Sequence, residues 1–217
     1  MKRITLIIIV LSFLLVQCSS SNIVSSWQSS GSETLNLKSG RIIVLGLIRE
    51  SDKSLQKKME NHLADDLCNL GYDAISSLEL YGLNTFEGKD ENQIMEQLKQ
   101  NGAAAVLTVV LLDKQKEKYH APKNMFDLGY TNDFDIYYAA IYSKIYQEGY
   151  YVNDTYYFWE SSLFTMPDQK IIYSVQTQSF NPLNAASLAH EYGKLIINDM
   201  LEHNIIKGNH KEKKQKL

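Results

Sequence analysis

A chain of 217 residues with a net charge of −3 offers no broad cationic surface, so nucleic acid is not an expected partner. Its 44% apolar and 22% charged content are those of an ordinary globular domain, which excludes a disordered or low-complexity chain. The 2 cysteines exclude a framework of several disulfides, and a domain of this size buries roughly 70% of its unfolded surface without a staple.

The N-terminus reads Met1-Lys2-Arg3, then an apolar run over residues 4–16 broken by Thr5 and Ser12. A cationic start, a short apolar stretch and a processing point describe a secretion signal over residues 1–17. The run falls short of the roughly 20 residues that a membrane-spanning helix needs. Leu15-Val16-Gln17-Cys18 resembles a bacterial lipobox, with Gln17 where a small residue is usual. That resemblance implies cleavage before Cys18 and acylation of Cys18 as the new N-terminus. Each buried methylene contributes about 0.8 kcal/mol, so two or three acyl chains hold a protein to a membrane almost permanently. Ser19 follows the cysteine, with no aspartate to retain the protein at an inner membrane and no acidic cluster to export it to a surface. The resemblance therefore implies an outer-membrane anchor facing the periplasm.

Residues 19–39 hold nine serines among 21 positions and show no apolar periodicity. Such composition predicts a flexible tether over residues 18–39. Trp27 is its exception, docking back on the domain or touching membrane or partner. Residues 41–49 (RIIVLGLIR) form a short β-branched apolar run, which predicts a buried strand. A helix follows over residues 51–70, with Ser51 as a cap, Asp52 in the first turn, and Leu55, Met59, Leu63, Leu67 and Leu70 on one face. Cys68 within it reads as a small buried hydrophobe. Gly71 is placed for a left-handed cap, and residues 72–76 read as a second, short strand.

Residues 78–89 read as a loop with a turn or two. Asp90 caps a second predicted helix whose inner face is Ile94, Met95 and Leu98, stopped by Asn101-Gly102. Residues 103–112 (AAAVLTVVLL) are a third buried strand. Two strand–helix–strand units in succession imply right-handed crossovers and parallel strands with helices packed on them.

Beyond Asp113 the pattern changes. A charged run at 114–118 reads as a solvated extension of the strand. Tyrosine is the compositional outlier, with 14 residues, ten of them between positions 119 and 157. Residues 119–152 read as a long Tyr-rich excursion. Within it Tyr138, Ile141, Tyr142 and Ile145 fit a helical stripe while Ile136, Tyr138, Ala140 and Tyr142 alternate like a strand, and a short helix over 136–146 is the preferred of the two. Residues 155–165 and 170–180 alternate as strands around Met166-Pro167-Asp168-Gln169, which predicts an antiparallel hairpin. A long helix is expected over residues 184–206, stopped by Gly208, and residues 208–217 form a basic tail. The expected fold is α/β (α+β): one domain over residues 40–207, with a mixed sheet of about five strands, two βαβ units, a hairpin and a C-terminal helix.

The LVQC lipobox, SNIVSSW, RIIVLGLIR, Asn69-Leu70-Gly71-Tyr72, AAAVLTVVLLD and SFNP before a terminal helix occur here together. This arrangement resembles uncharacterised Gram-negative envelope lipoproteins whose domain is similar to the TolB N-terminal and LpoB-like α/β module. The resemblance covers residues 40–207. It implies an envelope adaptor that activates a peptidoglycan synthase or belongs to secretion and Tol-type assemblies. It carries over no catalytic residues.

No nucleophile elbow, phosphate loop, dinucleotide fingerprint, paired-cysteine site or zincin helix is present. His190 lacks a histidine four residues on, and His203 lies about 20 Å along the same predicted helix, so both read as solvent-facing. Asp65-Asp66 reads as a polar helix face. Asn132, Asp133 and Asp135 lack the glycine-centred loop of a calcium site. No catalytic residue, metal or cofactor is expected. The aromatic stretch is the candidate partner surface, because tyrosine and tryptophan are enriched in interface cores. Its residues are Trp27, Tyr130, Tyr137, Tyr138, Tyr142, Tyr146, Tyr150 and Tyr151, whose bland alternative is a second core on the sheet edge. The expected function is a non-catalytic adaptor or assembly factor, joined to the membrane through its lipid and binding an envelope protein or peptidoglycan. A structural homo-oligomer and an envelope hydrolase with an unrecognised site are the alternatives.

Overall fold

The computed structural model describes residues 20–29, 40–82, 86, 88–121, 133–136, 138, 142, 150–166 and 168–208. Six strands form one mixed sheet: β1 (Ser21–Gln28), β2 (Arg41–Leu47), β3 (Asp73–Ser76), β4 (Ala103–Ala121), β5 (Tyr150–Thr165) and β6 (Lys170–Phe180). Their spatial order is β1-β6-β5-β4-β2-β3. The helices are α1 (Lys53–Asn69), α2 (Ser77–Tyr81), α3 (Glu91–Gln100) and α4 (Ala185–Glu202), with a 3-10 turn at Glu50–Asp52 before α1.

β2 pairs in parallel with β3 and β4, as two strand–helix–strand units require. β4, β5, β6 and β1 then continue the sheet antiparallel. Ile42 and Ile43 of β2 are both fully buried although they point to opposite faces, which is why this strand reads as a continuous apolar run. One face packs on α1 and α4, through Val44, Leu107, Trp159 and Tyr173 against Met59, Leu63, Tyr192 and Ile196. On the other face, α2 and α3 cover Ile43, Leu45 and Val106 on the β2–β3–β4 side.

Local chemistry sets the helix boundaries. At the end of α1, Gly71 takes φ +86°, the Tyr72 N–H donates to Leu67 O at 3.1 Å, and the Gly71 N–H donates to Cys68 O at 2.9 Å. This is a Schellman motif, and Tyr72 joins Leu67 in the core. The same device ends α4, with Asn204 at φ +58° and the Ile205 N–H on Met200 O at 2.8 Å. α4 therefore stops at Glu202 and not near residue 206, and the reversal folds Ile205 and Ile206 into the core. Asp90 and Gln93 form a capping box on α3, and Asn184 and Ser187 form one on α4.

Several expectations are corrected. The sheet has six strands, because Ser21–Gln28, read as flexible tether, is the edge strand β1. Serine explains the misreading: its hydroxyls here are long-range hydrogen-bond donors. Ser26 Oγ donates to Asp199 Oδ2 of α4 at 2.8 Å, Ser20 Oγ to Glu191 Oε2 at 2.5 Å, and Ser21 Oγ meets Ser179 Oγ at 2.7 Å. Ser51 does not cap α1; Asp52 holds the N-cap position without a side-chain capping bond, and its carboxylate accepts from Lys114 Nζ at 3.0 Å. Cys68 is exposed, since it lies beside the 55/59/63/67 stripe, and its thiol donates to Ala74 O at 3.2 Å. The excursion is shorter than its expected 119–152, because β4 runs to Ala121 and β5 begins at Tyr150. Residues 1–19, 30–39 and 209–217, which hold the signal, Cys18, the rest of the tether and the tail, lie outside the described residues.

Candidate functional site

Strand alternation places Ser26 toward α4 and Trp27 on the opposite face of the sheet. Over β1, β6 and β5 no helix among the described residues covers that face, and Trp27 is 51% exposed. Beside it a polar ladder crosses three strands. Ser25 Oγ donates to Gln176 Oε1 at 3.3 Å, Gln176 Nε2 donates to Glu160 Oε2 at 3.0 Å, and Ser162 Oγ meets Ser174 Oγ at 2.9 Å. Leu47 and Leu112 are exposed along the β2–β4 border. Tyr156 and Phe180 close the lower end, their rings 5.0 Å apart. An exposed indole beside amide, carboxylate and hydroxyl groups on a rigid sheet is a surface suited to recognition.

The other sequence-derived candidates fall apart from it. Tyr138 and Tyr142 are exposed, their rings stacked at 5.6 Å, with Phe134 a further 5.9 Å from Tyr138. Of the stretch near 136–146, the described residues 136, 138 and 142 are helical. Tyr150 and Tyr151 belong to β5 opposite Ala121 and His120, but their side chains are outside the described set. Tyr130, Tyr137 and Tyr146 also lie outside the described residues.

A second polar centre was not legible in the sequence. Glu60 of α1 is fully buried, and five donors surround its carboxylate. Oε1 accepts from the Gly46 N–H at 2.8 Å and Gln56 Nε2 at 2.8 Å. Oε2 accepts from Ser76 Oγ at 2.8 Å and the Leu78 N–H at 2.9 Å, and Ser77 Oγ reaches both oxygens at 3.0 Å. The C-terminal ends of parallel strands are where α/β sheets commonly take anionic ligands. In this protein, a side-chain carboxylate from α1 fills that position between β2, β3 and the start of α2. Gly46 is required there, because a Cβ would lie 2.8 Å from Glu60 Oε1 and 2.6 Å from Gln56 Cγ.

His190 and His203 are exposed, as expected, and each also meets a partner. His190 Nδ1 meets His62 Nε2 at 3.1 Å across α4 and α1, and His62 lies 3.6 Å from Asp66 Oδ2. Burial raises the Asp66 carboxyl above its ordinary range, while His62 and His190 pull it the other way. His203 Nδ1 lies 2.9 Å from Asp199 O in the last turn of α4. Among the described residues no three histidine, cysteine or acidic side chains cluster to hold a metal. An open pocket of about 340 Å³ lies at the β4 bulge, lined by Arg49, Asp52, Leu112, Asp113 and Lys114. The Lys114 ammonium is held there by Asp52 and lies 5.2 Å from the Tyr157 ring centre. No helix among the described residues is long and apolar enough to cross a membrane.

No protein-family model matches the chain, and no curated protein matches it. Among solved structures, a PelC dodecamer from Paraburkholderia phytofirmans is similar, at 12% identity and a TM-score of 0.42, over 79% of this chain and 94% of that one. Lipoprotein GNA1162 from Neisseria meningitidis is similar at 11% identity and a TM-score of 0.41, over 75% of this chain and 99% of that one. A putative neuraminyllactose-binding hemagglutinin homolog from Helicobacter pylori is similar at 14% identity and a TM-score of 0.38, over 82% of this chain and 96% of that one. At these values the likeness is one of general layout.

Proposed function

We propose that this chain is a lipoprotein of the cell envelope, anchored through acylated Cys18 to the outer membrane on its periplasmic side, and that it acts as a non-catalytic adaptor or assembly factor. The leader and LVQC support the anchor. The uncovered sheet face supports the adaptor role: Trp27 stands exposed on a rigid strand, flanked by the Ser25–Gln176–Glu160 ladder. Aromatic anchors bordered by oriented polar groups are the usual make-up of an interface core and rim. The partner is an envelope protein or peptidoglycan. The resemblance to TolB N-terminal and LpoB-like adaptors supports the same reading.

A photo-crosslinking residue at position 27, in cells, should trap a discrete envelope component that the same residue at Asp168 does not. Identical adducts from both positions would overturn the role of this face. A structural homo-oligomer is the second reading, favoured by β1 being the terminal strand of the sheet. An open edge offers backbone groups to a second copy, and light scattering of the unacylated domain separates monomer from assembly.

A further inference from the structure

The position of β1 bears on how this domain meets a membrane. Ser20 is fixed in place: its N–H and Oγ donate to Glu191 Oε2 at 3.0 and 2.5 Å, and its carbonyl accepts from the Phe180 N–H at 2.7 Å. Cys18 is two residues upstream, a span of at most about 7 Å of extended chain. No free tether separates an acyl group on Cys18 from the folded body. The end of the sheet where β1 begins and β6 finishes must then lie against the headgroups.

That end carries an apolar turn. Phe180-Asn181-Pro182-Leu183 leads from β6 into α4, and Leu183 is 92% exposed. The turn is held rigidly on both sides. The Asn181 N–H donates to Thr155 O at 2.9 Å, Asn181 Oδ1 accepts from the Thr155 N–H at 2.7 Å, and Asn181 Nδ2 donates to Asp154 Oδ1 at 2.5 Å. Asn184 then caps α4, whose first turn holds no acidic residue. Of the carboxylates near the turn, Asp154 and Glu191 are engaged by Asn181 and Ser20, and Asp52, which lines a pocket with Pro182 and Asn184, is paired with Lys114; Glu117 lies across from Asp154 on β4. The opposite end of the sheet, at Asp168, Gln169 and Lys170, is exposed and polar.

We propose that this turn is a membrane-docking element: Leu183 and Phe180 enter the interfacial zone of the bilayer that holds the acyl chains, and so fix the orientation of the domain. The proposal rests on acylation of Cys18. Beyond Thr155 the β4–β5 arm runs a further five residues past the same end. The β5–β6 turn stands away from it, because the 11 residues of β6 separate the two ends. An interfacial side chain buries about 5–10 Å into the headgroup boundary, and a single exposed leucine gains enough from that transfer to set a tilt, though not to anchor a protein alone.

The test uses the mature acylated protein in phosphatidylethanolamine–phosphatidylglycerol vesicles carrying nitroxide lipids, with Cys68→Ser in every sample. An environment-sensitive fluorophore is placed by Leu183→Cys or by Asp168→Cys, and the intact mass of each sample reports acylation of Cys18. Blue-shifted emission and quenching at 183 several-fold above that at 168 is the expected result. Acylated protein with equal, water-like emission at both positions overturns the docking while leaving the anchor in place. A mass with no acyl addition at Cys18 removes the anchor and the docking together.

Discussion

Replacing Glu60 by Gln tests what joins α1 to the sheet. The substitution keeps the shape and removes one acceptor. With the amide nitrogen in place of Oε2, it faces the Leu78 N–H at the start of α2; in place of Oε1, it faces the Gly46 N–H and the Gln56 amide. The serine hydroxyls can rotate to accept, but a backbone N–H cannot. At least one buried N–H is therefore orphaned, at about 1–3 kcal/mol, and the remaining charge-assisted bonds fall to neutral strength. The orphaned donor sets the scale of the total, about 1–3 kcal/mol. With a urea m-value of about 2 kcal/mol/M, the unfolding midpoint of the unacylated domain should fall by about 0.5–1.5 M. An unchanged midpoint would refute the reasoning, since it would mean that the five donors do not depend on the carboxylate. Gly46→Ala should act on the same network by driving a methyl into Glu60 and Gln56, and should cost about 1–3 kcal/mol.

Tyr173→Phe removes the 2.6 Å bond to Asp199 and should cost about 1–2 kcal/mol by denaturation. Combined with Ser26→Ala it should be non-additive, because both hydroxyls donate to Asp199 Oδ2. Lys114→Met should alter the acid limb of stability. The hydrogen bond from Lys114 holds the Asp52 carboxyl below its ordinary 3.8, so its contribution is present above that pH and is lost as pH falls through the lower folded value. The stability gap between wild type and Lys114→Met should therefore shrink below pH 3.8, as followed by acid titration of circular dichroism. Cys68 should react with a thiol reagent in the native protein, since it is exposed at the end of α1; reaction only after unfolding would contradict the placement.

The central architecture was legible because its signals are local. RIIVLGLIR, the 55/59/63/67 stripe, the Asp90 cap and AAAVLTVVLL each declare strand or helix within a dozen residues, and each stands where expected. β1 was hidden because its stabilisers are distant: Glu191 and Asp199 lie more than 170 residues beyond Ser20 and Ser26, whose composition alone reads as linker. The Glu60 site was hidden for the same reason, its donors coming from β2, the end of β3, and α2 as well as from Gln56 in its own helix. Of the partner candidates, Trp27 could be singled out as an aromatic in a serine-rich stretch. The face it occupies depends on a bulge between Ile23 and Ser25 that no residue pattern announces.

The most direct measurement is the intact mass of the native protein extracted from envelope membranes. It should correspond to residues 18–217 with a diacylglyceryl group on the Cys18 sulfur, with or without a third acyl chain on its amine. A chain still carrying residues 1–17, or beginning at an unmodified Cys18, would contradict the account.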